Sequence, residues 1–292
     1  MSKTSKNQGY GSFTPPKQDK RHPLTRQDTE ILYRTACDYP DIEAELAIRA
    51  MLDYGLRISE IAHIRSHWID KEYHRKVGEE VWRIKIPKVE YCWNGKGEVG
   101  KGNPDGVDLH TTSEPCQKCR VRSWDDKVDP NDEKKDGWIA AKQAEEYDWS
   151  PKTMRSATKV WQFPGIDESA ETARKLKQFL ETQPHNQWPH TGSAIRHRLD
   201  NVVEAARPDD PTDPDPSDLA LPDRSQPRVV PHALRHTYGC RLVETGVGEG
   251  AGMKQMRHQN AEVFRWYSDV RGTRVVSALN DAVSENDALL HE

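Results

Sequence analysis

Long apolar runs are missing from this 292-residue chain. No stretch approaches the roughly 18 residues that a membrane helix needs, and the opening MSKTSKNQGYGSFTPPKQDK lacks the apolar core of a signal peptide. No membrane partner is expected, and a soluble, cytoplasmic protein is the default. Cysteine is scarce: Cys37, Cys92, Cys116, Cys119 and Cys240 make five, an odd and scattered set unlike the dense, even framework of a disulfide-stapled secreted domain. Reduced thiols are expected. Apolar residues reach only 34%, enough for a core once polar tails and loops are set aside. No internal repeat is found.

Net charge is small as well. A formal charge of -4 would argue against nucleic acid if it were evenly spread, because duplex DNA is a polyanion whose binding needs a local excess of cations. It is not evenly spread. PDDPTDPDPSDLALPD, residues 208–223, holds six aspartates and no base, whereas residues 228–275 hold eight Lys or Arg against four Asp or Glu. That basic segment also carries His232, His236 and His258.

Residues 1–23 are polar and aperiodic and are expected to form a disordered arm. Helical patterning begins at Thr25, which forms a capping-box pattern with Asp28; Ile42, Leu46, Ala50 and Tyr54 then make a stripe that Gly55 ends, and a third helix is expected over Ser59–Ser66. VWRIKIP alternates like a strand after KEYHRKVGEE, taken as an exposed turn. Residues 88–146 show little periodicity and read as an inserted module. Two short strands, Tyr147–Trp149 and Val160–Phe163, are expected to be joined by a turn bearing Lys152. Helices return at Ala170–Thr182 and Ser193–Ala206, and an acidic, Pro-rich loop occupies 207–228. Further helices are expected over Pro231–Thr245, closed by Gly246, around Met253–His258, from Asn260, and from Val275 to Leu290. The fold class is mostly α with a small antiparallel β-sheet.

Phosphodiester transfer without a metal needs cations to neutralise the equatorial oxygens of a pentavalent phosphorus and an acid to protonate the departing oxygen. His232 and Arg235 in PHALRHT lie three apart on an expected helix and share a face. Such a pair arises by chance in a chain this rich in His and Arg, so its surroundings decide. Taken singly, Arg57 reads equally as a helix-end ion pair, His232 as a core histidine and Tyr267 as a half-buried aromatic.

GLRISEIAHIR, Gly55–Arg65, and HALRHTYGCRLVETG, His232–Gly246, resemble the two signature boxes of the tyrosine recombinase, or phage integrase, catalytic domain, in family order. His258 follows Arg235 by 23 residues and Tyr267 lies nine further on, a spacing similar to that family's second histidine and nucleophilic tyrosine. The chain looks like an archaeal or phage-like variant with an insertion, and the resemblance spans residues 24–290. It implies a catalytic-domain fold for DNA breaking and rejoining. It also implies a site-specific DNA recombinase in which Arg57 and Arg235 hold the scissile phosphate, His232 and His258 manage hydrogen bonds and protons, and Tyr267 attacks. Glu60 and His236 would support them. A lysine on a β-hairpin protonates the leaving 5′ oxygen in the family; Lys152 matches that context better than Lys85 or Lys88.

No cofactor is expected for catalysis, because the phosphotyrosine conserves the bond energy. Arg228, Arg241, Arg257 and Arg265 are expected to meet double-stranded DNA. Self-association on DNA is expected, as is an accessory or clamp partner, since the helical clamp domain that usually precedes the catalytic domain has no room in residues 1–23. The family usually has Gly before the second histidine, where this chain has Arg257, and the interval from Arg57 to His232 is long. Other readings are a topoisomerase-like relaxer and a silent DNA-binding accessory protein of the same fold.

Cys116 and Cys119 form a CxxC that Cys92 and His110 would complete as a structural zinc site. Cys37 and Cys240, on expected helices, read as core. Tyr91, Trp93, Trp124 and Trp138 read as a small core of the insertion rather than as base-stacking platforms.

Overall fold

The computed structural model describes residues 23–93, 116, 119, 148–152, 156–163, 167–207, 229–258 and 261–270. The expected arm, most of the insertion, the acidic loop and the helix expected from Val275 lie outside the described residues. Among the described residues no helix is long and apolar enough to cross a membrane.

Helix α1 spans Arg26–Asp38. Its cap works in both directions: the Thr25 hydroxyl accepts from the Asp28 amide at 3.1 Å and donates to the Asp28 carboxylate at 2.6 Å. Helix α2, Ile42–Tyr54, starts on Asp41, whose carboxylate accepts from the amides of Glu43 and Ala44, and ends where Gly55 turns left-handed at φ 56°. The expected stripe captures only part of α2. Every residue from Ala44 to Tyr54 is buried while Ile42 is exposed, because neighbouring helices cover α2 all round.

Burial on every side forces charged residues of α2 indoors, where they must find partners. Arg49 pairs with Glu45 at 2.9 Å and donates to the Thr172 hydroxyl at 2.9 Å. Asp53 accepts from Thr172 at 2.7 Å and from Arg241 at 3.3 Å. Tyr33 of α1 joins the network by donating to Asp53 at 3.2 Å, so α1 and α2 are tied to the later helices that carry Thr172 and Arg241. Arg241, expected to meet DNA, donates also to the Leu52 carbonyl and keeps part of its side chain exposed. Cys37, expected in the core, is exposed, whereas Cys240 is buried.

The expected third helix is short. Helix α3 covers Ile58–Ile61, and a separate 3-10 turn covers Ser66–Trp68. Strand β1, Ile69–His74, was hidden in the segment read as a turn, and it pairs antiparallel with β2, Glu79–Lys85, placing Asp70 opposite Arg83 and Lys71 opposite Trp82. Strand β3 is Glu90–Tyr91, β4 is Asp148–Trp149 and β5 is Lys159–Trp161. The last two do not pair with each other, contrary to the hairpin expected: β5 joins β2 in a sheet ordered β1-β2-β5, and β4 joins β3 in a second sheet.

Four further helices follow: α4 (Asp167–Glu181), α5 (Gly192–Ala205), α6 (Pro231–Glu244, after which Gly246 turns left-handed) and α7 (Glu249–Met256). Helix α8, Ala261–Val270, closes the described chain. The main core gathers α1 to α5 and the sheets. A second apolar cluster of Phe163, Tyr238, Cys240, Leu242, Met256, Phe264 and Tyr267 lies where α6, α7 and α8 meet. The fold class read from the sequence, mostly α with a small antiparallel sheet, is the one observed.

Candidate active site

Gly55 is the hub of a buried polar cluster. Its carbonyl accepts from Arg257 at 2.8 Å and from Arg235, whose other amino group donates to the Met256 carbonyl. No side chain but hydrogen fits here, since the Tyr238 ring fills the space a Cβ would need. Arg57, the residue before α3, donates its amide to Glu60 at 2.7 Å and its guanidinium to Glu60 at 2.8 Å and to the Ser156 hydroxyl at 3.2 Å. Arg257 reaches the same carboxylate at 2.8 Å. Burial alone would raise the Glu60 pKa, but the guanidiniums of Arg257, Arg57 and Arg235 outweigh it and hold the carboxyl below its ordinary value.

Arg257 was expected at the DNA surface and is instead buried, with its side chain on Glu60. It caps α7 in the left-handed region at φ 55°. That conformation favours glycine and costs another residue about 1–2 kcal/mol. From that conformation its side chain makes the buried ion pair with Glu60.

Helix α6 places His232 on its first turn, exposed, with its ring centroid 4.3 Å from that of His236. His236 Nδ1 lies 3.0 Å from the Tyr267 hydroxyl. His258 lies against the Tyr267 ring at 5.8 Å between centroids, with the planes 21° apart. Tyr267 is fully buried, and burial raises its pKa although Arg235 and Arg57 pull the other way. Burial, followed by the charges of Arg235, Arg57, Arg257 and His232, holds His258 down to about 3. Cations at the start of α3, on α6 and at the end of α7 thus act on one histidine beside one tyrosine.

A depressed His258 makes stability pH-dependent. Between about 6.5 and about 3 the unfolded chain takes up a proton that the folded chain refuses, so this contribution is fully present above about 6.5 and is lost as the pH falls. Urea midpoints measured across that window should fall less steeply in His258→Gln than in the parent; parallel curves would remove the assignment.

Close packing at Gly239 keeps the tyrosine in place, because a Cβ there would lie 2.6 Å from the Tyr267 ring. Gly239→Ala gains helix propensity of up to about 1 kcal/mol but forces overpacking of about 1–3 kcal/mol. The expected net result is a lower urea midpoint and weaker placement of Tyr267. A variant more stable than the parent would show that the ring yields freely.

Of the remaining expected residues, Lys152 is exposed on the segment between β4 and β5, the same segment that brings Ser156 to Arg57. Arg265 is half-exposed on α8 and pairs with Glu249 at 2.9 Å. Arg228 and His110 lie outside the described residues.

Three of the four residues expected at a metal site lie together. Among the described residues, Cys92, Cys116 and Cys119 converge with His63, and all four are buried with their ligand atoms within 4.8 Å of one another. His63 escaped the sequence reading because it stands in the GLRISEIAHIR box, far from the CxxC. Its only advance signal was a histidine on an apolar helix end with no role in the box. Ser156 carried no signal at all.

Neither a protein-family model nor a curated protein matches the sequence. Among solved structures, the chain is similar to the Tn1549 transposon integrase in complex with transposon right end DNA, at 16% identity and a TM-score of 0.48, covering 88% of this chain and 63% of that one. It is similar to XerA recombinase at 12% identity and a TM-score of 0.44, covering 91% of this chain and 67% of that one. The Tn1549 integrase in complex with circular intermediate DNA matches at 18% identity and a TM-score of 0.45, covering 85% of this chain and 62% of that one. The chain therefore spans less than two thirds of the integrase chains it matches.

Proposed function

We propose that this chain is a DNA strand transferase serving as a site-specific recombinase or integrase, with Tyr267 as its nucleophile. The observation that carries the reading is the Tyr267 hydroxyl bonded to His236, flanked by His258 and lying in the field of Arg57 and Arg235.

In the first step the Tyr267 oxygen bonds to phosphorus while the bond from phosphorus to the 5′ oxygen breaks. A neutral His236 with its proton on Nε2 accepts the tyrosine proton through Nδ1, and Lys152 gives a proton to the departing 5′ oxygen. Arg57 and Arg235 balance the charge on the equatorial oxygens, for which a planar guanidinium is well shaped. The resulting 3′-phosphotyrosyl link is then attacked by a 5′ hydroxyl of another strand, which restores Tyr267. Double-stranded DNA is the substrate, and self-association on it would align two sites.

Tyr267 has no exposed surface in the conformation described, and Arg235 is engaged by the carbonyls of Gly55 and Met256. Catalysis therefore requires α8 to move when DNA arrives and Arg235 to exchange carbonyl oxygens for phosphate oxygens. The same two observations favour a second reading, a silent DNA-binding accessory protein of this fold. A duplex carrying attachment sequence, nicked so that the cut end diffuses away, separates them. A protein-linked DNA band on a denaturing gel supports transfer, whereas tight binding without the band supports the silent reading.

A further inference from the structure

We propose that His63, Cys92, Cys116 and Cys119 form a tetrahedral site for one zinc ion, and that this ion fastens the insertion to the segment bearing Arg57 and Glu60. The four ligand atoms lie within 4.8 Å of one another in a buried pocket, where three thiols and an imidazole without an ion would be poorly satisfied. The Sγ atoms of Cys116 and Cys119 each lie 3.6 Å from His63 Nε2. A tetrahedral zinc with sulfur at about 2.3 Å and nitrogen at about 2.0–2.1 Å sets a sulfur-to-nitrogen edge of about 3.6 Å. The cluster thus has the dimensions of a coordination shell.

Its surroundings are also those of a ligand set. His63 Nδ1 lies 2.8 Å from the Ser59 carbonyl, which fixes the proton on Nδ1 and leaves the Nε2 lone pair directed at the sulfurs. Trp149 stacks on the imidazole at 5.2 Å and holds its plane. The Cys116 amide donates to Cys92 Sγ at 3.3 Å, stabilising a thiolate, and the Cys119 amide closes the CxxC turn on the Cys116 carbonyl at 3.0 Å. Soft sulfur with one imidazole suits zinc better than magnesium or calcium, and four protein ligands leave no open position for a substrate. The role is structural.

The position of His63 gives the site its significance. It stands three residues beyond Glu60, while Cys92, Cys116 and Cys119 all belong to the insertion, so one ion would tie the insertion to the Arg57 segment through three of its residues. The proposal stands independently of strand transfer.

Elemental analysis of the full chain, purified without chelator, should find about one zinc per chain. Exchange for cobalt should give thiolate-to-cobalt charge-transfer bands and the intense visible bands of a tetrahedral site. His63→Cys should keep the metal with a shifted spectrum; His110→Ala and Cys37→Ser should keep it unchanged; His63→Ala should lose or weaken it. If His63→Ala fails to fold, the parent chain and His63→Cys still decide. A parent chain that takes up neither metal, a Cys116–Cys119 disulfide in the native protein, or loss of metal in His110→Ala would each overturn the proposal.

Discussion

Tyr267→Phe is expected to abolish the DNA-linked protein band while leaving folding and DNA binding close to those of the parent. The substitution removes one oxygen. The ring stays packed against Gly239, Phe264 and His258, and the loss to the fold is one hydrogen bond to His236, worth about 0.5–1.5 kcal/mol. The chemical loss is of another order, because removing a covalent nucleophile lowers turnover by up to roughly 10⁶-fold. The measurement pairs the denaturing gel with a mobility shift on the same duplex. An adduct that persists in Tyr267→Phe would move the nucleophile to a different residue and sink the proposed mechanism.

Glu60→Ala is expected to cost about 3–5 kcal/mol of folding stability, the scale for removing one partner of a buried ion pair. Glu60 is 1% exposed and neutralises Arg57 and Arg257, with Arg235 close enough to hold its pKa down as well. Without the carboxylate, three guanidiniums face one another with no anion between them. The same argument fixes the acid response. Because the folded pKa of Glu60 lies below its ordinary value, its contribution is present above the unfolded carboxylate range and is lost as pH falls through the folded value. Urea unfolding of Glu60→Ala and Glu60→Gln checks this. A loss under about 1 kcal/mol in both would mean that solvent reaches the cluster and screens it.

Elements with a local signal were legible in the sequence. Thr25, Gly55 and Gly246 mark helix ends through their own side chains or the lack of one, and α4 and α8 carry apolar stripes at helical spacing. Strand β1 was missed because IDKEYH faces solvent along much of one side and offers no alternation of apolar residues; its pairing with β2, through contacts such as Asp70 with Arg83, defines it. The expected hairpin failed for a related reason. Strands of two and three residues cannot specify a partner, and β3 and β2 took β4 and β5 respectively. At the site, residues inside the boxes were readable, but the use of Arg257 was not, since its burial depends on Glu60 197 positions away in sequence. His63 was unreadable as a ligand for the same cause: its sulfur partners lie 53 and 56 positions away.

The Gly55 carbonyl is a datum of the main chain, and both Arg235 and Arg257 are measured from it. Side chains around a site can drift through rotamers, but this oxygen is rigidly attached to the end of α2, the most enclosed helix described. Wear on the surrounding surface therefore leaves the spacing of the two cations intact, and tolerance ends only where α2 itself loosens. Mutational robustness of this buried arginine pair and integrity of the central helix are, in this molecule, a single property.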